Sequence, residues 1–221
     1  MKAVFVKEKK TITVDELSSP KPGSSDVLVK MRACGLCGSD LEKVYGNYGM
    51  SSGRLGHEPS GEIVGVGDLV SGYSIGDRVF VHHHVPCYSC HYCRHGDYTM
   101  CTMFHSSNLD PCGLSEEILV PGWNVSRGGV IKLPSNVTFE KAALIEPLAC
   151  CIRALDKSRI QKGDDIAIFG AGPAGIMLAL LAQSMGCGKI FLIDINQFRL
   201  DLAEKHFQVE CFNINIRPDT E

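Results

Sequence analysis

The run Cys87-Tyr88-Ser89-Cys90-His91-Tyr92-Cys93-Arg94-His95-Gly96-Asp97-Tyr98-Thr99-Met100-Cys101 puts four thiols within fifteen residues, spaced C-x2-C-x2-C-x7-C. Turn-forming and polar residues fill the gaps. Thiolates at this density suit a tetrahedral Zn²⁺ with no open position, the coordination of a structural site. An iron–sulfur run of the bacterial ferredoxin type has three residues before its last cysteine and a proline after it. Here seven intervene and Thr102 follows. Eleven cysteines are an odd number and no secretory signal precedes them, so a disulfide framework is disfavoured. Arg94, His91 and His95 lie inside the loop, where they are expected to offset the negative charge of four thiolates.

Two shorter motifs precede this loop and one follows it. Gly35-Leu36-Cys37-Gly38-Ser39-Asp40 and Gly56-His57-Glu58 supply a thiol and an imidazole. A catalytic zinc takes three protein ligands and keeps one exchangeable position, and Cys37 and His57 are candidates for two of them. The glycines around Cys37 are expected to let the backbone turn tightly, and His57 is expected in a loop before a strand over 61–66. Downstream, Gly170-Ala171-Gly172-Pro173-Ala174-Gly175 follows an apolar strand over 166–169 and opens a helix. Asp194 ends the next strand, 19 residues after Gly175. That context makes the glycine pattern a dinucleotide fingerprint. Gly170 permits the turn, Gly172 lets a pyrophosphate approach, and Gly175 lets the helix pack. Pro173, which has no N–H, opens the helix, and the free helix N-terminal N–H groups from Ala174 onward suit phosphates. Asp194 would bind the ribose diol and repel a 2′-phosphate, which favours NAD over NADP.

Length and texture bound the rest. A chain of 221 residues with 44% hydrophobic content allows one large domain or two small ones. A net charge of −3 gives no electrostatic case for nucleic acid or an anionic membrane. No apolar run approaches the roughly 20 residues that span a bilayer. The N-terminus reads as a short strand rather than a signal peptide, and a reducing cytoplasm is the expected location. Up to about residue 135, short β-rich runs over 3–6, 27–31, 61–66 and 78–82 alternate with turn clusters such as Ser74-Ile75-Gly76-Asp77, predicting a barrel-like β domain. Thr138 is a candidate N-cap for a helix from Phe139, which Pro147 should break or restart. Strands over 165–169, 189–194 and 210–213 with helices over 174–185 and 197–205 then open a doubly wound sheet. The expectation is two domains, 1–145 and 146–221.

In this order, the four motifs resemble the zinc-dependent medium-chain alcohol and polyol dehydrogenase family, across nearly all 221 residues. The resemblance implies a GroES-like β-barrel-type catalytic domain followed by the start of an α/β Rossmann domain. That sheet normally has about six strands, so the chain is expected to be a truncation of a longer dehydrogenase. It also implies two zinc ions, one catalytic and one structural. For the catalytic ion, Glu58 is a ligand in some members and an outer carboxylate in others. Glu146, in Leu144-Ile145-Glu146-Pro147-Leu148, occupies the position where liver-type enzymes have cysteine and the sorbitol and threonine dehydrogenase branch has glutamate. It binds zinc directly or holds the water on it. Nearby Cys150 and Cys151 compete as thiols, with small-residue packing on a helix as their expected role. Ser39 resembles the hydroxyl that starts proton release. The family histidine two residues beyond the motif's aspartate is replaced by Glu42, which leaves the relay to Glu42 or to water. Arg199 matches a basic residue near the adenosine. The implied activity is hydride transfer between a secondary alcohol or polyol and NAD, by a homo-oligomer when full length. The alternative is a truncated, non-catalytic zinc-binding scaffold of the same fold. Tyr45 and Tyr48 are guesses as pocket residues. His82, His83 and His84 cannot all converge from a strand and are expected at a strand end or the surface.

Overall fold

The computed structural model describes residues 1–46, 53–104 and 106–215. It divides into two compact units, Met1–Glu146 and Pro147–Glu221.

The first unit begins with a hairpin of β1 (Lys2–Glu8) and β2 (Thr11–Glu16). Next come β3 (Val27–Gly35), α1 (Gly38–Tyr45), β4 (Glu58–Val66) and β5 (Arg78–Val81). After these follow α2 (His91–Arg94), a 3₁₀ turn (Tyr98–Met100), β6 (Glu117–Val120), α3 (Gly122–Ser126), β7 (Val130–Lys132) and α4 (Phe139–Ala142). Five strands form one antiparallel sheet in the order β6-β3-β4-β5-β7. Side chains alternate across a strand, so Val27 and Val29 of β3, Val79 and Val81 of β5, and Ile118 and Val120 of β6 all enter one core with Ile63. Each such side chain contributes about 1.5–3 kcal/mol on burial. The strand expected over 61–66 begins earlier, at Glu58, because Glu58 pairs with Gly35.

Thr138 caps α4, its hydroxyl accepting from the Lys141 N–H at 3.3 Å. The break after α4 falls at Ala143–Leu144 rather than at Pro147. Pro147 sits in the first turn of α5 (Ile145–Ser158), where a missing N–H leaves no bond unmade.

The second unit continues with β8 (Ile166–Phe169), α6 (Pro173–Ser184), β9 (Ile190–Asp194), α7 (Gln197–His206) and β10 (Glu210–Asn213). Its strands are parallel in the order β10-β9-β8, the first half of a doubly wound sheet. Ile190 and Leu192 meet Ala179, Ala182, Leu200 and Ala203 in its core. β8 is less buried than its apolar sequence suggested. Only Ile168 is enclosed, and Phe169 is 80% exposed.

The packing of α6 on β8 depends on Gly175. A Cβ there would lie 1.7 Å from the Gly170 carbonyl oxygen. Gly175→Ala is therefore expected to destabilise the second unit by about 1–3 kcal/mol. Faster hydrogen exchange across β8–β10, with β3–β5 unchanged, is the expected readout; unchanged β8–β10 exchange would refute it.

Candidate metal centres and nucleotide loop

Cys87, Cys90, Cys93 and Cys101 bring their sulfurs within 4.8 Å of one another. A regular tetrahedron with Zn–S bonds of about 2.3 Å has S–S edges of about 3.8 Å. The sulfurs of Cys87 and Cys93 are 3.9 Å apart, those of Cys90 and Cys93 3.5 Å, and those of Cys101 and Cys87 3.6 Å. The four thiols thus fit a tetrahedral ion. Hydrogen bonds to the sulfurs come from the loop backbone and Ser89. The Cys90 N–H donates to the Cys87 sulfur at 3.3 Å and the Cys87 N–H to the Cys101 sulfur at 3.5 Å. The Ser89 hydroxyl also reaches Cys87. Donors from Ser89 and Cys90 bring the Cys87 thiol down to about 5. Arg94 instead donates to the Ser89 carbonyl, and His95 bonds the His91 carbonyl. Both side chains brace the loop backbone.

The second cluster joins Cys37, His57 and Glu58, whose ligand atoms also lie within 4.8 Å of one another. Cys37 is the N-cap of α1, at the end of β3. His57 follows Gly56, whose φ of +80° suits glycine, and directly precedes β4. Glu58 is the first residue of β4. One thiol, one imidazole and one carboxylate form a donor set that zinc accepts in open sites.

Asp40 ties these pieces together. Its carboxylate is wholly buried. It accepts from the Cys37 N–H at 3.2 Å and the Gly56 N–H at 3.0 Å, and lies 3.6 Å from His57 Nδ1. A carboxylate on one ring nitrogen orients the other toward an ion, and His57 Nε2 is the atom 4.0 Å from Glu58. Burial alone would lower the His57 pKa. The hydrogen bond and charge of Asp40, with a smaller share from Cys37, outweigh it and push it up to about 9. Glu58 moves up as well, through burial and then the charges of Glu146 and Asp40, with His57 opposing. Two buried carboxylates, Asp40 and Glu58, thus flank the one imidazole.

Glycine has a different role here from the one expected. Neither Gly35 nor Gly38 has a positive φ. A Cβ on Gly35 would lie 1.7 Å from Glu58 Oε2, whereas one on Gly38 would meet nothing within 4 Å among the described residues. Gly35 makes room for the carboxylate; Gly38 does not.

In the second unit Gly170 has a φ of +106°, and among the described residues a Cβ on Gly172 would meet only Arg199 Nη1, at 3.6 Å. The surface over Gly172 is open enough for a phosphate, beside a guanidinium. Both Asp194 oxygens are engaged, by the Ala171 N–H at 2.6 Å and the Asn196 N–H at 2.8 Å. These bonds lower its pKa. A carboxylate offers about four lone-pair sites, so acceptor capacity remains for a diol.

Residues 23–135 match the alcohol dehydrogenase GroES-like domain. The chain belongs to the zinc-type medium-chain alcohol and polyol dehydrogenase family. It is 34% identical to a sorbitol dehydrogenase of Bacillus subtilis over 219 residues, covering 97% of this chain and 61% of that one. A crystal structure of galactitol-1-phosphate dehydrogenase from Escherichia coli superimposes with a TM-score of 0.86 at 31% identity, covering 99% of this chain and 62% of that one. A protein of Sinorhizobium meliloti 1021, solved bound to NADP, gives 0.83 at 28% identity, covering 97% and 62%. The chain thus spans about three fifths of the length of these dehydrogenases.

Other candidate residues fall outside the compact groups among the described residues. Glu146, in the first turn of α5, is not one of the three clustered residues, though its charge acts on Glu58. Ser39 is half-buried in the first turn of α1. Cys151 is buried and bonds the Ala174 carbonyl, while Cys150 is exposed, so only the former fits the packing role. Tyr45 is 50% exposed, and Tyr48 lies outside the described residues. The three histidines after β5 are not surface residues. They are half-buried, and burial lowers the pKa of His82 and takes that of His83 to about 2. Sequence reasoning also missed Asp40, although its place three residues after Cys37 is that of a capping-box acid.

Gly35→Ala is expected to displace the Glu58 carboxylate and weaken metal binding at the Cys37 centre by about tenfold or more, as losses around metal ligands do. Gly38→Ala should leave it unchanged. Metal titration with the four-cysteine ion as internal reference checks both, and equal behaviour of the two variants would refute the steric account.

Proposed function

We propose that this chain carries the metal-binding and dinucleotide-binding parts of a zinc-dependent oxidoreductase that transfers a hydride between a secondary alcohol or polyol and NAD. The observation that carries this reading is the convergence of Cys37, His57 and Glu58 within 4.8 Å, backed by a buried Asp40. In this reading Cys37, His57 and Glu58 hold the accessible zinc, with Glu146 as the alternative carboxylate. Zinc bound there would polarise the substrate oxygen as a Lewis acid and lower the pKa of an alcohol at the open position. The chain's own residues do the rest. Asp40 keeps His57 in one tautomer and orientation. Ser39 takes the proton that leaves the hydroxyl and passes it to Glu42 or to solvent, while the carbon-bound hydrogen leaves as hydride for the nicotinamide. Gly172 and the start of α6 receive the pyrophosphate, as helix N-termini do.

Asp194 receives the adenosine ribose. Its negative charge disfavours a 2′-phosphate, and Arg199, beside Gly172, is the group that would admit NADP. The four-cysteine centre is structural. The substrate is a small alcohol or polyol, and the branch is assigned by Glu146.

Elemental analysis of the natural full-length protein tests the reading. Two zinc ions per chain, saturable NADH binding and loss of one ion with activity in Cys37→Ser are expected. One zinc and no NADH binding would point instead to a non-catalytic scaffold. Asp194→Ala should weaken NADH binding about tenfold, the scale of a hydrogen bond to a charged group, and narrow the preference over NADPH. An unchanged NADH affinity would remove Asp194 from the ribose site.

A further inference from the structure

The three consecutive histidines after β5 are held more firmly than a loop requires. Asn124, wholly buried, donates from Nδ2 to the carbonyl oxygens of both His82 and His83, each at 3.0 Å. The His82 N–H donates to the Gly129 carbonyl at 2.7 Å. His84 Nδ1 is 2.6 Å from the Ser107 carbonyl oxygen, and the Val85 N–H donates to the Ser107 hydroxyl. Trp123 Nε1 donates to the Val85 carbonyl at 3.0 Å.

So anchored, the rings pack in series. Ring centroids of His82 and His83 are 5.6 Å apart, and those of His83 and His84 4.1 Å. His83 also meets the ring of His57, at 5.2 Å and 56°. His83 Nδ1 is buried and has no hydrogen-bond partner among the described residues. A buried unpaired nitrogen is costly, so that nitrogen gives no reason for the contact, whereas the shape of the ring does. A ligand imidazole must be fixed in both tautomer and tilt to serve a metal. Asp40 fixes one nitrogen of His57; it does not by itself stop the ring from tilting.

We propose that His83 is a positioning residue for the Cys37–His57–Glu58 centre: its ring, anchored through Asn124, holds His57 so that Nδ1 stays toward Asp40 and Nε2 is presented to an ion. This rests on the metal reading above. It makes residue 83 a wall whose flat ring matters more than its hydrogen-bonding capacity.

Chelator-driven release of Co²⁺ from the natural full-length protein tests it, because four-thiolate and single-thiolate sites differ in their charge-transfer absorption. In His83→Ala the ion at the Cys37 centre should leave about tenfold faster, the scale of losses around metal ligands, while the four-cysteine ion leaves at its native rate. His83→Phe should return release toward the native rate. Native release in His83→Ala, or a His83→Phe as fast as His83→Ala, overturns the proposal. Should His83→Ala lose both ions together through unfolding, His83→Leu decides by the same criterion, since it fills the space without a flat ring. An unmodified protein that takes up only the four-cysteine ion sinks the metal reading itself, a result distinct from unchanged release in the variants.

Discussion

Asp40 is the constraint on which the first unit turns. A carboxylate with no exposed surface is stable only when its charge is matched by donors. Here the partners come from separate pieces of chain: N–H donors at Cys37, the N-cap of α1, and at Gly56 before β4, with the His57 ring at 3.6 Å and the Lys43 ammonium, one turn along α1, at 4.0 Å. Satisfying that one group therefore fixes where β3 hands over to α1 and how the segment before β4 approaches it. The Cys37 thiol and the His57 imidazole are delivered to the same place as a result. Hydrogen bonds from His57, Gly56 and Cys37 keep Asp40 below the usual carboxylate range even though burial pushes the other way.

Both units gain close approach by omitting a side chain. Between β3 and β4, Gly35 lets Glu58 fold back over the strand partner opposite it. In the second unit, Gly175 lets the first turn of α6 lie against the Gly170 carbonyl. The two positions do unrelated chemistry, one admitting a carboxylate and the other a helix. The physical requirement is the same, a Cα with nothing attached, and in neither case is a left-handed backbone the reason.

Much of the fold was legible because its signals are local. Alternation at Val27/Val29 and Val79/Val81, the Thr138 cap and the glycine turn at Gly170 each rest on residues within a few positions of one another. The four cysteines were legible for the same reason. Harder to read were features that depend on pairing across the chain. The start of β4 at Glu58 is set by Gly35 on another strand. The position of Pro147 in a first turn, rather than at a break, depends on where α4 ends. Asp40 was visible as a letter in a motif, but only the fold reveals that Gly56 and His57 face it. The three histidines do follow a strand end, as expected, but the contact of His83 with His57 was not readable, because strand alternation stops at Val81. Beyond that residue the backbone bends, and Asn124, some forty positions later, decides where the rings go.

The four-cysteine loop has an unusual exterior. Its sulfurs turn inward, with Cys93 and Cys101 buried, while Tyr88, Tyr92, Tyr98 and Met100 face outward at 41–60% exposure. Of these, Tyr88 and Tyr98 meet edge to face, with ring centroids 5.6 Å apart. With Arg94 and His95 bracing the backbone, the loop's exterior is tied to its fold at some positions and free to vary at others, such as Met100.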